Sequence, residues 1–214
     1  MKKIIFLRPA LYLDRISGKD IISSFDLIGS QKCDPKINTE NINTKERINC
    51  LLKKFIPAKI YSSSAMRCTD TAELFGLVFG VSPLLNEIKF SLTGTLSSAL
   101  LNTDNTNVNR LRTELVNAFV QNKTKESPTE VIIRIKSFLE VLKNTKGNIF
   151  CISHAFIMKF YEIFFRNNGV IKGPVSFLSE YNWEIKPYEF LDGFCVLMDD
   201  AGKVHHVELL KDLL

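Results

Sequence analysis

The chain has 214 residues, 45% hydrophobic and 24% charged, with a net charge of +5 at neutral pH. That balance fits one soluble domain with a full core. It excludes a disordered chain, and the longest basic stretch, Lys53-Lys54, falls short of the clustered Lys/Arg of a nucleic-acid binder. No apolar run approaches the length of a membrane span, and the opening Met1–Leu7 stops at Arg8-Pro9, too short for a signal sequence. The cysteines, Cys33, Cys50, Cys68, Cys151 and Cys195, are odd in number and widely spaced. Reduced thiols in the cytoplasm are the simpler expectation, with no disulfide framework and no metal site.

In chain order, Ile4–Leu7 is a continuous apolar run of the kind buried on both faces of a parallel sheet. Pro9 ends it, and Arg8 falls at the carboxyl end of this strand. The stretch from Gly18 to Asn43 is polar and rich in turn residues. Asn43–Phe55 has helical spacing in Ile48, Leu51, Leu52 and Phe55, with Asn43 and Glu46 placed as a capping box. Lys59–Tyr61 reads as a short strand, Arg67–Phe79 as a helix and Leu84–Ile88 as a further short strand. Helical pattern returns around Leu111, Leu115 and Phe119.

Ser127 and Glu130 form a second capping signature. It opens a helix to about Leu142, with an apolar stripe of Val131, Ile132, Ile135, Phe138, Leu139 and Leu142 and a stop at Gly147. Ile149–Ile152 is another buried strand, His154 follows it, and Phe156–Phe165 reads as an apolar helix. Phe194–Met198 and Val204–Leu209 form a hairpin around Asp199-Asp200-Ala201-Gly202, which is turn chemistry. Adjacent strand residues point to opposite faces, so His205-His206 does not read as a metal site.

Strands alternating with helices predict an α/β fold, a mostly parallel central sheet with helices on both faces, formed by residues 1–214 as one domain. Residues 91–125 are expected to form a lid insertion over the strand ends. In such a sheet the ligand lies beyond the carboxyl ends of the strands. Arg8, Ser62-Ser63, Arg67 and His154 converge there. Arginine offers a planar fork of donors matched to phosphate oxygens, histidine adds a donor, and a carboxylate such as Glu87 can protonate a leaving oxygen.

These residues stand in blocks that resemble a known family. Tyr61-Ser62-Ser63-Ser64-Ala65-Met66-Arg67 with Thr71-Ala72-Glu73 is similar to the serine, arginine and Thr-Ala block of the histidine phosphatase (phosphoglycerate mutase-like) superfamily. Ile4–Arg8, Leu85–Ile88, Glu126-Ser127-Pro128 through Arg134, and Ile149–His154 resemble its other blocks in order. The resemblance implies a three-layer α/β/α fold with no organic cofactor and no metal. It implies that Arg8 and Arg67 clamp a phosphate with His154 and Ser62 beside it, and that Glu87 is the proton donor. The catalytic candidates are Glu87 and His154.

The departure from the family is equally specific. Where the family reads Arg-His-Gly, this chain reads Arg8-Pro9-Ala10, and proline has neither a nucleophile nor an N–H. The remaining histidines are His154, His205 and His206. The family's Gly-x-x-Gln-Ala pattern is absent near Lys45-Glu46-Arg47-Ile48. The expectation is a pocket for a phosphorylated or carboxylated small molecule, without covalent phosphohistidine chemistry. Two alternatives stay open. One is an active enzyme, a phosphatase-like hydrolase or a repurposed one, using Glu87 and His154 as acid and base. The other is a protein-interaction module with a relic pocket. Homo-oligomer formation is left open.

Each site residue also has a structural reading. Arg8 is then a strand-end arginine, Arg67 pairs with Asp70 or Glu73, and His154 is a core histidine. Ser62 and Ser63 cap the next helix, and Glu87 is a surface carboxylate.

Overall fold

A computed structural model describes residues 1–10, 37, 42–90, 108–171, 173, 176–183, 185 and 187–214, without the side chains of 108–112. The strands are β1 (Lys2–Leu7), β2 (Lys59–Ser62), β3 (Phe79–Val81), β4 (Ile149–Ile152), β5 (Gly193–Met198) and β6 (Val204–Leu209). They form one sheet in the order β3-β2-β4-β1-β5-β6. β1, β2, β3 and β4 are parallel neighbours, and β5 and β6 close the sheet antiparallel. The helices among the described residues are α1 (Ile42–Phe55), α2 (Met66–Leu74), α3 (Val108–Val120), α4 (Pro128–Asn144), α5 (Ala155–Arg166), α6 (Ser176–Ser179) and α7 (Leu210–Leu213).

The period-two alternation of strand side chains divides the core into two layers. Ile4 and Phe6 of β1 and Ile149 and Cys151 of β4 face one cluster, which α3, α4 and α5 complete. Ile5, Leu7, Phe150 and Ile152 face the other, which α1, α2 and α7 complete. The result is the expected α/β/α sandwich on a mostly parallel sheet. Phe6 is fully buried, stacked on Phe194 with ring centroids 4.8 Å apart and 5.0 Å from the Tyr161 ring. The abundance of phenylalanine therefore serves as core filling.

The local signals hold where chemistry fixed them. Ser127 accepts from the Glu130 N–H and Glu130 accepts from the Ser127 N–H, the capping box that starts α4. At the far end of α4, the buried Lys2 ammonium donates to the carbonyls of Lys143 and Thr145, at 3.0 and 2.6 Å. It satisfies terminal carbonyls that have no partner within the helix.

Several boundaries differ from expectation. The helix from Arg67 stops at Leu74, because Phe75 caps it and Gly76 turns left-handed at φ 66. Phe79 then belongs to β3. Leu84–Ile88 is not a strand: Pro83 opens a short 3-10 turn, Pro83–Leu85, and proline cannot donate to a sheet ladder. α1 begins at Ile42, so Asn43 lies inside its first turn.

Of the expected lid, residues 91–107 lie outside the described residues, while α3 packs Leu115, Val116 and Phe119 into the first core layer. Cys33 and the loop reading for most of residues 18–43 also lie outside them. Among the described residues Cys50, Cys68, Cys151 and Cys195 are free thiols, no helix is long and apolar enough to cross a membrane, and no acidic, thiol or imidazole cluster could hold a metal.

Candidate active site

The sheet draws its carboxyl ends together through backbone bonds beyond the ladders. Ser153 N–H donates to the Leu7 carbonyl at 2.9 Å, and Ser63 N–H to the Ile152 carbonyl at 2.9 Å. Each bond continues a parallel pairing by one residue past its strand. Arg8, Ser63 and His154 therefore leave the sheet side by side. Thr71 ties the turn after β1 to the helix carrying Arg67. Its hydroxyl accepts from the Ala10 N–H at 3.0 Å and donates to the Arg67 carbonyl at 2.7 Å.

His154 sits at the centre, 5% exposed, as the residue before α5. An Arg67 Nη2 lies 2.8 Å from its Nδ1. Guanidinium only donates, so Nδ1 accepts and the ring proton is on Nε2. Nε2–H faces Ser63 Oγ at 2.8 Å, and Ser63 Oγ donates to Asn86 Oδ1 at 2.8 Å. Ser64 N–H and Ser64 Oγ reach the same Asn86 oxygen, each at 2.9 Å. The Cys68 thiol is 3.5 Å from Nε2.

Burial pushes the imidazole's proton affinity well below its ordinary value, and the charges of Arg67, Arg8 and Arg134 push it the same way. His154 is thus a neutral donor whose tautomer is fixed by Arg67. The unfolded chain binds this proton more readily than the folded one, so His154 contributes stability above the ordinary value of 6.5 that is lost as pH falls. In proton NMR the His154 ring resonances are expected to hold their neutral positions from pH 8 down through 6.5. A normal titration step there would contradict this electrostatic picture.

Arg8 is half-buried. Its Nη1 donates to the Tyr188 carbonyl at 2.8 Å, and its guanidinium carbon lies 4.2 Å from the centroid of the Phe190 ring. Among the described residues no carboxylate pairs with it. Pro9, beside it, is buried and offers the site no donor.

Glu87 is half-buried and firmly held. Its carboxylate accepts from the N–H groups of Ile88 at 3.0 Å, Ile157 at 2.9 Å and Phe156 at 3.4 Å. The last two are orphan donors of the first turn of α5, so Glu87 caps the helix that follows His154. Burial raises its proton affinity, against the lowering effect of those N–H groups and of Arg67. A carboxyl so raised can hold a proton to give away.

The sequence candidates are not all brought together. Ser62 is fully buried, and its hydroxyl donates to the Ser63 carbonyl at 2.9 Å, whereas Ser63 reaches His154. Neither serine is the N-cap of α2, which is Ala65. Arg134 forms a largely buried pair with Glu126 at 3.1 Å and donates to the Asn86 carbonyl at 2.6 Å. It holds the turn that carries Asn86 and Glu87. Tyr188 and Phe190 were invisible in the sequence, which has no motif or period between α5 and β5.

The family model for the histidine phosphatase superfamily (branch 1) matches residues 27–163. The chain belongs to the histidine phosphatase superfamily. The matched span takes in Arg67, Glu87 and His154 and begins beyond Arg8 and Pro9.

Solved histidine phosphatase-like structures share the fold at low identity. A histidine-to-alanine mutant of a phosphoserine phosphatase from Entamoeba histolytica, in complex with phosphoserine, is 17% identical with TM-score 0.59, covering 100% of both chains. A mycobacterial glucosyl-3-phosphoglycerate phosphatase, complexed with VO3, is 14% identical with TM-score 0.64, covering 98% of this chain and 97% of that one. The same phosphatase with inorganic phosphate is 16% identical with TM-score 0.60, covering 98% and 95%. No curated protein matches this histidine phosphatase superfamily chain in sequence.

Proposed function

We propose that this chain binds a phosphorylated small molecule between Arg8, Arg67 and His154 and does not form a covalent phosphohistidine. The observation that carries the reading is the state of Arg8. It is a half-buried guanidinium using one donor on a backbone carbonyl, with no carboxylate partner among the described residues. Partly buried cations without a counter-ion are costly unless a ligand supplies the charge. A neutral His154 accepts from Arg67 at Nδ1 and turns its Nε2–H to Ser63 Oγ, so the ring holds Arg67 in place and adds no charge of its own. The charge that such a cluster lacks is that of a phosphomonoester.

Covalent catalysis by this superfamily's usual route needs an imidazole at position 9, where this chain has proline. The Entamoeba histolytica histidine-to-alanine mutant is in complex with phosphoserine. That pairing supports a phosphate pocket that still binds when it is short of one histidine. The free thiols among the described residues favour a cytoplasmic setting.

A second reading keeps turnover. Glu87, with its raised proton affinity, protonates a leaving oxygen while water attacks the phosphorus, and the arginines stabilise the charge. Two titrations separate the readings. Inorganic phosphate is expected to bind the native chain by calorimetry, and an aryl phosphate to be left intact. Aryl phosphate turnover lost in Glu87→Gln favours the second reading, and no phosphate binding at all overturns both.

A further inference from the structure

On α5, behind the site, one buried carboxylate gathers three side chains. Glu162 is 3% exposed. Its Oε2 accepts from Lys159 Nζ at 2.5 Å and from the Tyr188 hydroxyl, and its Oε1 accepts from Arg166 Nε at 2.7 Å. Tyr188 is itself 3% exposed, its ring 6.0 Å from that of Phe194 on β5.

The segment that Tyr188 opens holds Arg8 by both its side chain and its backbone. The Tyr188 carbonyl takes Nη1, the Phe190 ring covers the guanidinium face, Leu191 N–H donates to the Arg8 carbonyl, and Arg8 N–H donates to the Asp192 carbonyl. Leu191 is 3% exposed and held at φ 52, a left-handed conformation that a branched residue adopts only when its surroundings force it. Segment and arginine are thus built as one unit. It is tied to the helix following His154 by the Tyr188–Glu162 bond, with the Lys159 ammonium 5.2 Å from the centroid of the Tyr188 ring.

We infer that Glu162, acting through Tyr188, is a positioning residue for the Arg8 anion clamp. The hydroxyl bond fixes the tyrosine, and the tyrosine's own carbonyl fixes the guanidinium. The remaining guanidinium donors of Arg8 then face a ligand in one orientation. This inference rests on the proposed phosphate site.

Glu162→Gln leaves Lys159 and Arg166 against a neutral group and endangers the fold. Tyr188→Phe removes only the hydroxyl, so it is the deciding variant. Inorganic phosphate is titrated into the native chain, Tyr188→Phe, Arg8→Ala and the double variant, and the Arg8 guanidinium is followed by nitrogen NMR without ligand. Tyr188→Phe is expected to weaken phosphate binding about fivefold, the worth of one hydrogen bond. The double variant should bind no more weakly than Arg8→Ala, and the Arg8 resonances should show faster guanidinium rotation in Tyr188→Phe. Native affinity in Tyr188→Phe, or losses that multiply in the double variant, would overturn the positioning role. Should the native chain bind no phosphate, the ligand reading falls by itself. Arg8 resonances unchanged by Tyr188→Phe would then overturn the positioning role separately.

Discussion

Arg67→Ala is expected to weaken inorganic phosphate binding by about 100-fold, because two charge-assisted hydrogen bonds at about 1.5 kcal/mol each are removed. The change also reaches His154. Arg67 supplies the hydrogen bond to Nδ1 and is one of the charges that hold the imidazole neutral, second to burial. Without it the proton affinity of the ring rises, and an imidazolium forms at higher pH than in the native chain. The residual phosphate binding of Arg67→Ala should therefore strengthen as pH falls, as the new cation partly replaces the lost one. Calorimetry at pH values either side of neutrality reads both effects, and a melting curve checks the fold. Affinity within twofold of native would remove Arg67 from the site.

Gly193→Ala is expected to cost about 3 kcal/mol of stability, at the upper end of overpacking effects. Gly193 stands opposite Leu7 in the β1–β5 register. A Cβ there would lie 1.9 Å from the Phe6 carbonyl oxygen and 2.9 Å from Met158 Cε. The methionine end can swing away, but the carbonyl belongs to the central strand and moves only if β5 parts from β1. The strain lands on Phe6, two residues before Arg8, so phosphate affinity should fall along with stability. Urea unfolding measures the first effect. A loss under about 0.5 kcal/mol, the range of neutral surface changes, would show that the sheet yields freely there.

Much of the sheet was legible because its strands are short continuous apolar runs ending in polar residues. β1 before Arg8 and β4 before His154 are the clearest, since burial on both faces leaves no alternation to misread. α4 was legible because Ser127 and Glu130 start it chemically. The β3 region was not. Its three residues carry little pattern, and the stretch Leu84–Ile88 reads as the more strand-like, although Pro83 diverts it into a turn.

Within the site, the choice between Ser62 and Ser63 is a matter of parity at a strand end. Neighbours face opposite ways, and a block of serines does not say which one faces the histidine. In the sequence Glu87 reads equally as a proton donor or a surface carboxylate. Its role as the cap of α5 depends on a contact 70 residues away in sequence. The Tyr188–Leu191 segment around Arg8 was unreadable for the same reason, because its partners Arg8 and Glu162 are distant in sequence and its bonds run largely through backbone carbonyls.

The central claim is that the anion clamp survives while the acceptor of the phosphoryl group is gone. Intact-mass spectrometry of the native chain and of Pro9→His, both quenched during incubation with an aryl phosphate, tests it most directly. A phosphoryl adduct is expected in Pro9→His and absent from the native chain. An adduct on the native chain would contradict the lost acceptor, and no adduct on either protein would contradict a clamp that still presents phosphate to position 9.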